Sequence, residues 1–181
     1  MTVILRKATL KDFEALVGLR EEARQWLIHK GTDQWQPKTT GRLSLDQVRS
    51  GIARSIAQGT CYVALDGEDL VGTITVDKFA DPEFWTDDDN PNDALYAHRM
   101  IVGRHFAGKG IGAQMLDYAS KLAPAAGKRW LRLDAWRTND ALHRYYTGVG
   151  FDHVRTVNLH HRGSGALFQR LAAQAESCSR R

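Results

Sequence analysis

The chain has 181 residues, 43% hydrophobic and 25% charged, with a formal net charge of +4. That is enough apolar content for one domain with a real core, and too little positive charge, in no basic stripe interleaved with aromatics, to argue for nucleic acid. Residues 1–7 lack the apolar core of a signal peptide and no apolar run approaches a membrane span, so the expected protein is cytoplasmic with no membrane partner.

Residues 3–6 read as a short strand. Thr9-x-x-Asp12 resembles a capping box and opens a helix to about Lys30, with Phe13, Leu16, Val17 and Leu19 on its apolar side. A loop over residues 31–41 holds Trp35 and Pro37. Ser44-x-x-Gln47 caps a second helix with Val48, Ile52 and Ile56 at four-residue spacing. Residues 61–65 and 70–76 form a hairpin. Residues 81–93 carry six carboxylates and no Lys or Arg: either a solvated loop or a lip that attracts a cation. Asp87, Asp88 and Asp89 do not fit an EF-hand. A strand over residues 95–102 leads to a helix from Gly110 to about Ala123, near Pro124. A strand over 129–134, a helix over 140–146 and late strands near 154–160 and 166–171 follow. Residues 174–181 are expected to be a loose tail behind one domain over 1–173.

No metal is expected. Cys61 and Cys178 stand outside any metal or disulfide spacing, which suits a reducing compartment. His160 and His161, on a late strand, would face opposite sides.

The most informative stretch is Val102-Gly103-Arg104-His105-Phe106-Ala107-Gly108-Lys109-Gly110-Ile111-Gly112-Ala113. Strand, glycine loop, helix is how backbone N–H groups converge on one anion, and the glycines let a phosphate approach. Gly103-x-x-x-x-Gly108-Lys109 nearly matches a P-loop, but Gly110 replaces the hydroxyl that would hold Mg²⁺. Residues 131–134 only loosely imitate that class's magnesium-binding strand. The spacing G-x-G-x-G is not the dinucleotide fingerprint either.

A second motif follows: Asn139-x-x-Leu142-x-x-x-Tyr146-x-x-x-Gly150-Phe151. With Val102, Phe106, Gly108, Gly110, Ile111 and Gly112, it makes the chain resemble the GNAT superfamily of acetyl-CoA-dependent N-acetyltransferases, densely from residue 95 to 151. Two residues depart from the family pattern: Arg104 stands where it usually has proline, and Ala107 where it usually has Arg or Gln. The resemblance implies an α/β (α+β) fold, a mixed, mostly antiparallel central sheet flanked by about four helices and splayed at strands four and five. It implies acetyl-CoA as co-substrate, held by Met100, Ile101, Val102, Arg104, Ala107, Gly108, Lys109, Gly110, Ile111, Gly112, Ala113 and Asn139.

The implied reaction is attack of an amine on the thioester, with backbone N–H groups near Met100 to Val102 stabilising the oxyanion. Tyr146, by its offset from Asn139 and Gly150-Phe151, is the candidate donor to the departing thiolate. His98 is the candidate base, sharing strand parity with Met100 and Val102 if no bulge intervenes. Tyr96, Glu83 and bulk water are its rivals. The acceptor is a small-molecule or peptide amine, with a cationic one favoured by the acidic segment. A homodimer is left open, and a non-catalytic acyl-CoA sensor on the same fold is the alternative.

Overall fold

A seven-stranded sheet in the order β1-β2-β3-β4-β5-β7-β6 organises the chain. The computed structural model describes residues 2–34 and 44–172. Trp35, Pro37, Cys178 and the tail therefore lie outside the described residues.

The strands are β1 (Ile4–Lys7), β2 (Cys61–Asp66), β3 (Asp69–Asp77), β4 (Ala94–Val102), β5 (Trp130–Trp136), β6 (Asp152–Thr156) and β7 (Ser164–Leu171). The helices are α1 (Phe13–His29), α2 (Leu45–Ala57), α3 (Ile111–Ala125) and α4 (Asp140–Gly148). Every strand pairing is antiparallel except β4 with β5. A mixed, mostly antiparallel sheet with four α-helices is the expected architecture.

The caps act as the sequence implies. Asp12 accepts from the backbone N–H and hydroxyl of Thr9 and from both Nη atoms of Arg6. Ser44 and Gln47 close a reciprocal capping box at the start of α2. Alternation in β2 splits the core in two. Tyr62 and Ala64 join the larger cluster, where Ile111, Met115, Leu116 and Ala119 of α3 cover β3, β4 and β5. Cys61 and Val63 face the other way, beneath Leu16 of α1 and Ile56 of α2.

Two expectations need correcting. The strand before the two histidines ends at Thr156, and the chain then turns, closed by the Arg162 N–H donating to the Leu159 carbonyl. His160 and His161 therefore do not alternate across a sheet; their rings meet edge to face at 5.0 Å. The second concerns β4, where Thr73 pairs with Ile101 but Thr75 pairs with His98. The bulge breaks the assumed parity. Met100 and Val102 pack on the α3 side, while Arg99 and Ile101 line a cavity on the other.

Candidate active site

β4 and β5 are hydrogen-bonded only at Ala94, Leu95 and Tyr96, opposite Trp130, Leu131 and Arg132. Beyond that point β4 keeps its pairing with β3 and β5 keeps its pairing with β7, each to its own end. The two parallel strands part, and among the described residues the β4 edge from Ala97 to Val102 has no strand partner on that side. A gap at the carboxyl ends of parallel strands is where open α/β sheets place ligands.

The glycine loop leaves β4 beside this gap. The Gly103 N–H donates back to Val71, and one 3-10 turn, Arg104–Phe106, leads to Gly108 and Gly110. Both have φ near +77°, at 78° and 76°, which only glycine adopts without strain. A Cβ at either would meet nothing within 4 Å, so the surface in front of the loop is open. Gly110 is the N-cap of α3 and supplies no side-chain cap, and no acidic residue lies in the first turn. Ser44 and Asn139, by contrast, cap α2 and α4 with their side chains. The first N–H groups of α3, through Gly112 and Ala113, are thus left for an external anion at the positive end of the helix dipole.

The side-chain cations of the loop are turned aside. The Arg104 guanidinium lies 3.8 Å from the ring centre of Trp26, and the Lys109 ammonium 4.9 Å from that of Phe106. With Ala107 lacking any polar group, backbone amides dominate the cradle. Asn139 serves α4 itself: its Oδ1 accepts from the Leu142 N–H and its Nδ2 donates to Gln34.

Two adjacent phenols of α4, Tyr145 and Tyr146, meet different surroundings. Tyr146 is buried among Tyr145, Phe151 and Phe168, with ring centroids 5.4 to 5.9 Å away. Burial pushes its hydroxyl well above the usual phenol range, and nearby Tyr145 and Asp134 push the same way. Tyr145 points its hydroxyl at α3: a Cβ on Gly112 would lie 2.3 Å from that oxygen and 3.7 Å from the Met100 methyl. The third glycine of the loop is required by this close approach. Among the described residues, Tyr145 Oη is the buried side-chain polar atom left without a hydrogen-bond partner.

His98 is set apart from the cavity that adjoins the gap. Its Nε2 lies 3.2 Å from Asp77 Oδ1, and its ring stacks near Tyr96. Burial works to raise the Asp77 carboxyl, yet His98, the Phe79 N–H and Arg99 hold it below its ordinary value.

The cavity itself, about 790 Å³, spans the gap on the α1–α2 side. Arg99 and Ile101 of β4 line it on one side, and Trp136 of β5 with Gly163 and Ser164 on the other. Leu16, Val17, Val48 and Ile52 supply apolar wall, and Cys61, Thr73 and Thr75 the floor. His161 is on the rim, with its Nε2 2.6 Å from Glu83 Oε1. None of residues 81–93 lines the cavity. That segment is pinned instead: Phe84 and Trp85 are buried, Asp89 is held by Arg155, and Asp81 and Glu83 by Arg162. Arg99 was not singled out from the sequence and His161 was read only as part of a late strand, because a bulge and a turn bring them to the cavity; Tyr145 reaches Gly112 through a helix-to-helix contact.

Gap, uncapped glycine loop and cavity together leave room for a ligand entering between two parallel strands. The family described as "Acetyltransferase (GNAT) family" matches residues 20–151, and the chain belongs to it. It is 31% identical over 149 residues to the uncharacterized N-acetyltransferase YesJ of Bacillus subtilis, covering 80% of this chain and 79% of that one. Among solved structures it resembles a GNAT-family acetyltransferase from Listeria monocytogenes, with TM-score 0.73, 24% identity and coverage of 93% and 94%. It also resembles a PaiA N-acetyltransferase from Thermoplasma acidophilum solved in complex with coenzyme A, with TM-score 0.68, 20% identity and coverage of 94% and 99%. The expected family and fold are thereby shown, and the protein is an acyltransferase by family. Among the described residues no helix is long and apolar enough to cross a membrane, and no group of three or more ligating side chains is placed to hold a metal ion.

Proposed function

We propose that the protein transfers an acetyl group from acetyl-CoA to a primary amine of a small molecule or peptide by direct attack. The observation that carries this is the parting of β4 from β5 after Tyr96, with the uncapped glycine loop at one end and the cavity against it. The open surface over Gly108 and Gly110 and the free first turn of α3 fit a pyrophosphate. The YesJ relationship and the coenzyme A complex of the Thermoplasma neighbour support the same reading. Acetyl-CoA, when bound, supplies an activated acyl carbon and a thiolate leaving group.

The chain does the rest. The unpaired β4 edge near Met100, Ile101 and Val102 presents backbone N–H groups to the developing oxyanion, fixed before reaction begins. Tyr146 donates a hydrogen bond to the departing thiolate; burial keeps the phenol neutral, so its O–H remains a donor. The amine loses its proton to a histidine. His98 is fixed by Asp77 but does not line the cavity, whereas His161 does and has Glu83 to orient it, so His161 is the nearer base.

Acetyl-CoA at about 100 times Kd adds about 2.7 kcal/mol of stability, read as a rise in Tm. Gly110→Val forces a branched residue to φ 76° in the cradle and abolishes that rise while leaving the fold. Thiol release over a panel of amines completes the test. A full thermal shift with no release on any amine would leave an acyl-CoA sensor in place of a transferase. An unchanged shift in Gly110→Val would remove the loop assignment.

A further inference from the structure

The walls of the cavity carry four guanidinium groups, Arg20, Arg24, Arg99 and Arg162, against one carboxylate, Glu21. Two of the four are already engaged. Arg24 is spent on Glu21, and Arg162 on Asp81 and Glu83. Arg20 is largely buried, and that burial pulls its guanidinium down to about 10 despite the pull of Glu21. Arg99 makes no ion pair or side-chain hydrogen bond with any described residue; Asp77, whose carboxyl feels the Arg99 charge, is engaged by His98.

Two unfavourable choices place Arg99. It sits in the bulge of β4 at φ 50°, a left-handed backbone that a long side chain rarely adopts. Opposite it, the interior of α2 carries glycine at position 51, where a helix prefers almost anything else. A Cβ on Gly51 would lie 3.2 Å from Arg99 Nη1, so the missing side chain is the space that the guanidinium fills. Strained backbone of this kind persists where a function holds it. The cation is thereby delivered into a chamber walled by Leu16, Ile52, Ile101 and Trp136, where an ion pair is screened less than in water.

Resting on the transferase reading, we propose that the acceptor is a small amine bearing a carboxylate close to its nitrogen, and that Arg99 holds that carboxylate. Ile101, at the gap, is two residues further along β4, at most about 7 Å of extended chain. An anion on Arg99 therefore leaves room for only a few bonds before the attacking nitrogen. The remainder of the molecule lies on the apolar wall. A cationic amine meets Arg99 in this chamber; the acidic segment 81–93 offsets Arg162 and His161 through Asp81 and Glu83 but makes no ion pair with Arg99.

The test is thiol release from acetyl-CoA with matched amines: phenylalanine, phenethylamine and the dication 4-(2-aminoethyl)benzylamine. The expected order of kcat/KM is phenylalanine first by at least tenfold, the dication last. Arg99→Gln, which keeps a long polar residue in the bulge, should raise KM for phenylalanine at least tenfold and collapse the ratio to phenethylamine. Arg99→Lys should restore part of that ratio. Preference for either uncharged-tail or dicationic amine, or equal loss on phenylalanine and phenethylamine in Arg99→Gln, overturns this assignment while the transferase reading stands. Acetylation of no amine at all ends both.

Discussion

Tyr145 and Tyr146 are adjacent in sequence and chemically identical, yet the structure treats them oppositely. Tyr146 packs edge-on and tilted within an aromatic cluster; Tyr145 sends a buried, unpartnered hydroxyl to Gly112 at the start of α3. A desolvated hydroxyl without a partner costs stability that its removal returns. Tyr145→Phe should therefore leave the Tm of the ligand-free protein unchanged or raise it. Tyr146→Phe should lower kcat roughly 10²-fold with little change in acetyl-CoA affinity, as loss of one donor to the leaving group does. Steady-state kinetics under conditions where chemistry limits turnover, with a thermal melt of each variant, separates the two. A kcat loss in Tyr145→Phe and none in Tyr146→Phe would transfer the donor role to the residue that touches the glycine loop.

At the scale of elements, α2 shows how a helix can be less stable than its sequence allows for the sake of the cavity. Its N-terminus is well made, with the Ser44–Gln47 box, and its interior then carries Gly51 against Arg99. Gly51→Ala should stabilise the helix by about 0.5–1 kcal/mol, since alanine loses less backbone freedom on folding. The new methyl would stand 3.2 Å from Arg99 Nη1, at the mobile end of a flexible side chain, so the guanidinium shifts and not the backbone. A higher Tm combined with a higher KM for an anionic acceptor is the expected pair of results. A higher Tm with unchanged KM would show that the position of Arg99 does not matter. The same helix marks what could be read beforehand. Capping boxes, the four-residue apolar spacing of α2 and the period-two hairpin β2–β3 are local, and they were legible. A lone glycine in a helical pattern signals close packing, but its partner lies 48 residues away across a bulge that no periodicity announces. The glycine loop and the Asn139 to Phe151 motif were legible for the same reason, being contiguous. The bulge at Arg99, the turn at His161 and the burial of Trp85 depend on distant strands.

For the whole molecule, surface ion pairs join segments that are far apart in sequence. Arg155 of β6 grips Asp89 at 2.6 Å and so ties residues 81–93 to the far edge of the sheet. That contact, with burial opposing it and the Thr86 N–H helping, holds the Asp89 carboxyl at about 2. Arg24 brings Glu21 to about 2, again against burial, and Arg6 holds Asp12 lower still. Each carboxyl binds a proton less readily folded than unfolded. Between about pH 4, where unfolded carboxyls titrate, and about pH 2, the unfolded chain therefore holds more protons, and stability rises with pH. The contribution is complete at neutral pH and disappears as pH falls through that window. Arg155 and Glu21 are partly open to solvent, so each pair is worth a fraction of what its shift alone would give. The urea midpoint of the parent protein should fall from pH 7 to pH 3. Asp89→Asn should lower the midpoint at pH 7 and narrow the drop between the two pH values, because its share has already been removed. A drop as large in Asp89→Asn as in the parent would assign the acid sensitivity to the other carboxylates and leave the acidic segment held by Phe84 and Trp85 alone.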